Sequence, residues 1–307
     1  MPSRPMTMID SAAKYPHLRE ATARLADLDN EARIKAIQQG FWIGYDRAKE
    51  ILGDMETLLN HPPIDRMPHM LLVAPSNNGK TQLLKHFLAS HPSDPNPNGE
   101  AAKCPVIYVS ALGPDIGDLC VRILESVRAP YREKATPAER IRTVSKILPQ
   151  LGTRILLLDE INNMTTGGAV KQREFRNGIK DLGNELRISI VAAGIEDAYT
   201  VFSTDPQLSN RFVPAALPLW GLNKAGGSLL ASFERRLPLR KTSNLKQAEI
   251  LQKVIWMSEG LIGEIYEILK RSAIDAIKCG EEQITLASLE RIRWIRPVDR
   301  RSKPSLA

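Results

Sequence analysis

The residues best placed to do chemistry are a lysine and a threonine, Lys80 and Thr81, that follow a glycine, and two carboxylates, Asp159 and Glu160, that end an apolar run. Residues 70–74 are apolar, Pro75, Ser76, Asn77, Asn78 and Gly79 are turn formers, and Lys80, Thr81 and Gln82 open a helical pattern. Strand, tight loop and helix start, in that order, are what a Walker A loop needs. Backbone N–H groups at the helix start point into such a loop and bind phosphate oxygens, helped by the helix dipole. Lys80 would add a point charge for the β and γ phosphates of ATP, and Thr81 a hydroxyl for a magnesium ion. Ser76 through Gln82 are therefore the nucleotide-binding candidates. Ala74 stands where the first glycine of GxxxxGK[ST] is expected, so the entry turn should depart from the usual one.

The second constellation is Arg154 followed by Ile155, Leu156, Leu157, Leu158, Asp159 and Glu160. An apolar strand ending in two carboxylates is the Walker B pattern. It would bring Asp159 beside Thr81 to hold the magnesium shell, while Glu160 polarises the attacking water. Acid pairs at strand ends also arise beside helix caps, and Asn162 or Asn163 could be such a cap.

Short apolar runs at 70–74, 106–109, 155–158, 188–193 and 215–219 predict the strands that position these groups. Their lack of polar alternation indicates strands covered on both faces, hence an α/β, mostly parallel, doubly wound five-stranded sheet. Residues 1–40 predict a polar helical arm, with Leu18, Ala21, Leu25 and Leu28 on its apolar face, and the α/β core is expected from 41 to 242. The proline- and asparagine-rich stretch 91–99 predicts a mobile surface loop. From 243 to 296 helical patterns replace strands, predicting a helical lid, and 297–307 is a basic tail.

The chain has 307 residues, 43% of them hydrophobic, enough for one large core and a smaller satellite. Its 3 cysteines are widely spaced and suggest neither a disulfide framework nor a zinc site. No apolar run approaches a membrane span and the N-terminus lacks a signal-peptide layout, so a cytoplasmic protein without membrane contact is expected. The net charge of +7 is compatible with a polyanionic partner or with solvated basic faces.

In its motifs the chain resembles the TniB/TnsC-like transposition ATPases of AAA+ type, TniB most of all, and more distantly MuB and IstB proteins. The resemblance covers residues 36–269. It is carried by 42–49, by Asn77-Asn78-Gly79-Lys80-Thr81, by Leu158-Asp159-Glu160, by 175–187 and by 207–212. It implies an AAA+ fold and a slow, assembly-dependent ATPase using ATP and Mg2+. ATP would drive a ring or helical filament on double-stranded DNA, held through the backbone without base readout. That homo-oligomer would recruit and activate a transposase, with a target-selection protein as a further partner.

Residue by residue, the resemblance makes Arg211 the arginine finger that reaches a neighbour's γ phosphate, with a structural ion pair as the alternative. It places Trp42, Ile43 and Tyr45 where related ATPases cradle adenine; core packing is the other reading of those side chains. A polar sensor residue is expected at the end of the fourth strand, but Ala192, Ala193, Gly194 and Ile195 stand there, and Glu264 stands near where a second sensor arginine belongs. These departures imply slow hydrolysis.

Arg122, Lys171 and Arg173 are the DNA candidates, the last two in a glycine-rich loop after Asp159 and Glu160; solvated surface is the alternative for each. The segment 291–296 mixes arginines with Trp294, as a DNA contact, a docking peptide or a tail without a role would. Two further functions fit the same motifs: a nucleotide-gated interaction switch that binds no DNA, and a helicase loader.

Overall fold

The computed structural model of the chain describes residues 14–96, 99, 102–203 and 205–301. Along the chain the elements run α1 (Glu20–Ala26), α2 (Asn30–Gln39), α3 (Asp46–Leu59), β1 (His69–Val73), α4 (Lys80–Ser90), β2 (Val106–Ser110), α5 (Ile116–Ser126), α6 (Pro137–Gln150), β3 (Ile155–Asp159), a 3-10 turn (Ile161–Thr165), α7 (Ala169–Leu186), β4 (Ser189–Gly194), α8 (Glu196–Ser203), α9 (Pro206–Ser209), β5 (Phe212–Ala216), α10 (Lys224–Glu234), α11 (Ala248–Ser258), α12 (Ile262–Lys278), α13 (Leu286–Arg291) and α14 (Pro297–Arg301). They form two compact units: Asp46–Pro218 makes one, and the residues up to Tyr45 join those from Leu219 onward to make the other.

The first unit is a five-stranded sheet in the order β2-β3-β4-β1-β5, parallel throughout. Its inner strands are mostly aliphatic and buried on both faces. Ile155, Leu156, Leu157 and Leu158 of β3 are all fully buried, and burying such side chains contributes about 1.5–3 kcal/mol each. The expected strands appear with ends shifted by a residue or so, except the last, which lies at Phe212–Ala216 instead of 215–219. β5 pairs only with β1, so it is an edge. An edge strand tolerates Pro214, which lacks a donor, and leaves Val213 65% exposed. The apolar run that suggested 215–219 continues past the paired residues.

The second unit is helical. Its core joins Ile37 and Ile43 to Leu229, Leu230 and Phe233 of α10 and to Ile265, Ile268 and Leu269 of α12. Hence the division differs from the one expected at 40/41 and 242/243. The loss of strand signal marks the end of the sheet, but α10 already buries its apolar face with the helices that follow. The N-terminal segment also differs from a single arm. Asp29 caps α2 by accepting from the Ala32 N–H at 2.8 Å, so α1 and α2 are separate helices. Thr22, Ala23 and Ala26 make the buried face of α1, whereas Leu28 is 44% exposed. Residues 1–13 lie outside the described residues.

Arg33 is fully buried in this unit. It donates to both oxygens of Glu282, at 2.6 and 2.7 Å, and to the Pro238 carbonyl at 3.1 Å. The stem of the stretch 91–99 is pinned by two backbone hydrogen bonds between Asp94 and Lys103, of 2.8 and 2.7 Å; residues 97 and 98 lie outside the described residues. No described helix is long and apolar enough to cross a membrane.

Candidate functional site

The groups singled out by sequence meet at the C-terminal ends of β1 and β3, which are separated by β4. A turn after β1 leads into α4. Asn77 (φ 59) and Gly79 (φ 89) occupy left-handed conformations that asparagine tolerates and glycine adopts freely. Ala74 is not among the positive-φ residues. A methyl group therefore fits where the usual motif has glycine. The Ala74 N–H donates to the Gly194 carbonyl at 3.2 Å, which ties the loop's first residue to the end of β4.

Asn78 is 1% exposed, and its amide donates to the carbonyls of Leu217 and Pro218 at 3.1 and 3.2 Å. Ser76, Asn77 and Gln82 are exposed. No side chain caps the start of α4, and a helix leaves its first N–H groups without intrahelical partners, so this end suits an anion.

The Lys80 ammonium turns back and donates to the Ala74 and Pro75 carbonyls at 2.8 and 2.9 Å. Burial pushes its pKa down, and the charges of Glu160 and Asp159 oppose that. The Thr81 hydroxyl donates to Asp159 Oδ2 at 2.6 Å, joining the two motifs. Asp159, 1% exposed, also accepts from the Glu160 N–H on Oδ1 at 2.8 Å. Glu160 has φ 55 and immediately precedes the 3-10 turn, and its side chain is exposed beyond the strand end. The helix-cap alternative does not describe this carboxylate, since it makes no side-chain cap bond.

The donor set fits a magnesium-bound nucleotide: a hydroxyl and a carboxylate side by side, an ammonium in reach of the loop, and an uncapped helix start.

One member of this cluster was not foreseen. Tyr108, from the middle of β2, donates its phenolic hydrogen to Asp159 Oδ2 at 2.9 Å. Burial pushes its pKa up, which keeps it a donor at neutral pH. The available signal was a lone hydroxyl-bearing aromatic in the otherwise apolar stretch 106–109.

Arg211 lies at the other end of the sheet. It precedes β5, its carbonyl accepts from the His69 N–H at 2.9 Å, and its guanidinium donates to Asn184 Oδ1 on α7 at 2.5 Å. Neighbouring His69 is buried, and its Nδ1 accepts from the Ile190 N–H at 3.1 Å. Burial, then the Arg211 charge, lower its pKa to about 4, so it is neutral at pH 7.

The end of β4 offers no polar side chain, and space explains why: a Cβ on Gly194 would lie 2.8 Å from atoms of Ala198 and Ile161. Its contribution is the carbonyl that holds Ala74.

Ile43 is 8% exposed in the helical core and Tyr45 packs edge-on against Trp220 at 4.9 Å, both within the helical unit, where Trp42 is half-buried. Glu264, 6% exposed, takes both arms of the Arg300 guanidinium at 2.9 and 2.7 Å. Lys171 and Arg173 are exposed, but they lie in the first turns of α7 and not in a loop, because the chain becomes helical directly after Gly168. Arg122 lines a pocket of about 280 Å³ with Asp115, Asp118 and Glu125, a setting of mixed charge.

Arg291 and Arg296 of the C-terminal segment are engaged by carboxylates. Arg291 pairs with Asp275 and Glu281, Arg296 with Glu259, and Arg296 stacks 4.5 Å over Trp256. Trp294 donates to the Met257 carbonyl at 3.1 Å. Lys303 lies outside the described residues.

Comparison with known proteins follows the same outline. The family model described as Bacterial TniB protein matches residues 33–222. No curated protein matches the chain. Among solved structures, the ORC2 protein of Aeropyrum pernix in ADPNP-ADP complexes is similar with a TM-score of 0.58 and 14% identity, covering 84% of this chain and 70% of that one. Cdc6p from Pyrobaculum aerophilum is similar with a TM-score of 0.54 and 16% identity, covering 81% and 67%. The Aeropyrum pernix ORC1 protein in complex with DNA gives 0.50 and 15%, covering 80% and 63%. The shared architecture is the AAA+ fold.

Proposed function

The chain belongs to the TniB family, and from that premise we propose that it is an ATP- and Mg2+-dependent AAA+ ATPase that assembles on double-stranded DNA and recruits and activates a transposase. The observation that carries the nucleotide part is the 2.6 Å bond from Thr81 to Asp159. By donating its proton to the carboxylate, Thr81 turns its oxygen lone pairs outward, where a hard cation can be met.

Magnesium, when bound, spreads the charge of the β and γ phosphates. Every other task falls to this chain's residues. Lys80 exchanges two loop carbonyls for phosphate oxygens. The N–H groups at the start of α4 hold the same anion. Glu160 takes a proton from the attacking water.

Arg211 belongs to the reading as a finger acting between copies. It sits before β5, beside the start of β1, whereas the phosphate loop follows the end of β1. At about 3.3 Å per residue, the length of β1 keeps it from its own loop. A neighbour's site is the place it could serve, so turnover would depend on assembly. The similar ORC1 structure was solved with DNA. Binding of DNA by this chain would use phosphate contacts, with Lys171 and Arg173 exposed for them. A target-selection protein as a further partner and a cytoplasmic location complete the reading.

A second reading, a nucleotide-gated interaction switch without DNA, is favoured by two observations. β4 ends without a polar side chain, and Arg291, Arg296 and Arg300 pair with carboxylates of this chain. Light scattering or electron microscopy of the chain with ATP, ADP or no nucleotide, with and without duplex DNA at two salt concentrations, separates the readings. Assembly that needs ATP and grows with DNA supports the first. Nucleotide binding without DNA-dependent assembly overturns it in favour of the second.

A further inference from the structure

We propose that Tyr108 is a positioning residue for Asp159, fixing how the carboxylate presents itself to the metal; the inference rests on the nucleotide reading above. Asp159 Oδ2 accepts from two hydroxyls, Thr81 at 2.6 Å and Tyr108 at 2.9 Å, while Oδ1 accepts from the Glu160 N–H at 2.8 Å. An ionised carboxylate has about four acceptor directions, two per oxygen. Both directions of Oδ2 are therefore occupied, and the capacity left for a metal or its water lies on Oδ1.

With only Thr81 and the Glu160 N–H as donors, Oδ2 would keep one acceptor direction open, and a metal or its water could be met on either oxygen. A second donor on the same oxygen, arriving from a different strand, removes that freedom.

Tyr108 is itself held in place. Its backbone lies in β2, hydrogen-bonded to β3 with Tyr108 opposite Leu157. The Lys85 ammonium, one helical turn after Thr81 on α4, sits 5.9 Å from the centre of its ring, and Ser110 Oγ lies 3.5 Å from its hydroxyl. The ring thus bridges the helix that carries Thr81 and the strand that carries Asp159. Groups that orient a metal's ligands in this way have large effects on affinity without touching the metal.

The test uses the full chain and Tyr108→Phe, which keeps the ring and loses only the hydroxyl. A fluorescent ATP analogue is bound first in EDTA, then with increasing Mg2+, and the thermal midpoint is recorded in parallel. The expected result is a Mg2+ half-saturation raised about tenfold, with metal-free nucleotide binding and the thermal midpoint equal to those of the parent. An unchanged half-saturation overturns the proposal. So does a loss of binding that is as large in EDTA as in Mg2+, because that would be a structural effect. If the parent chain itself shows no nucleotide binding that responds to Mg2+, the nucleotide reading falls and this inference with it, a result distinct from either outcome for the variant.

Discussion

Glu160 occupies a left-handed backbone conformation, φ 55, immediately after a buried strand that ends in Asp159. A residue without glycine's freedom is held there by its N–H bond to Asp159 Oδ1. The two adjacent carboxylates thus have different surroundings, one buried beside Thr81 and one exposed. If Glu160 is the base, Glu160→Gln should keep ATP binding, reduce turnover at least 100-fold on the scale of a lost general base, and trap the ATP-bound assembly; a variant that hydrolyses ATP at the parent's rate refutes the role.

His69 makes a prediction of its own. Its folded pKa of about 4 lies below the usual 6.5, so between those values the unfolded chain binds a proton that the folded chain does not. Stability contributed by the neutral ring is full above pH 6.5 and is lost as pH falls toward 4, a change on the order of 3 kcal/mol. Urea denaturation from pH 7 to 4.5 should show that decline, and His69→Gln should flatten it.

Two elements show how position overrides composition. β5 contains a proline and a largely exposed valine, yet it is a strand, because pairing with β1 on one side alone leaves its other edge without obligations. α2 carries an arginine on its buried face, yet it is a core helix, because Glu282 meets that arginine with both oxygens. Burial pushes the Glu282 carboxyl up, but the hydrogen bonds from Arg33 and from the Arg240 N–H, with both guanidinium charges, hold it below the usual range. Removing Arg33 leaves the buried Glu282 only the Arg240 N–H and its more distant guanidinium, so Arg33→Ala should destabilise the chain by about 3 kcal/mol, the lower end for a broken buried pair. Chemical denaturation followed by far-UV circular dichroism measures this; a loss under about 1 kcal/mol would mean that water already reaches Glu282.

At the scale of the whole molecule, the distance between Arg211 and its own phosphate loop makes a mixing experiment decisive. Arg211→Ala retains the loop and Lys80→Ala retains the finger, so each alone should be inactive while their mixture regains part of the parent's ATP turnover. No recovery on mixing would exclude a finger acting between copies. The C-terminal segment is the other large-scale question. Trp294 and Arg300 hold Met257 and Glu264 of α11 and α12, so cutting the chain after Leu289 strips a buried carboxylate of its partner. The truncated chain should melt several degrees lower, by about 1–3 kcal/mol. An unchanged midpoint would return the segment to the role of a free tail.

By sequence alone the two nucleotide motifs, the α/β class, nearly all the strands and the kinship were legible. Each is written locally: a strand, a turn and a helix start follow one another in the chain, and a buried parallel strand announces itself as an unbroken apolar run. What only the tertiary structure decided depends on residues far apart in sequence. Tyr108 had no motif around it, and it became a partner of Asp159 because β2 lies beside β3. Arg33 lies in the stretch expected to be a polar arm, and it is a buried residue because Glu282 is brought to it. Arg291, Arg296 and Arg300 belong to a basic stretch of sequence, and folding sets Glu259, Glu264, Asp275 and Glu281 against them. A hydrogen bond or an ion pair needs both partners, and their meeting is fixed by packing and not by spacing along the chain.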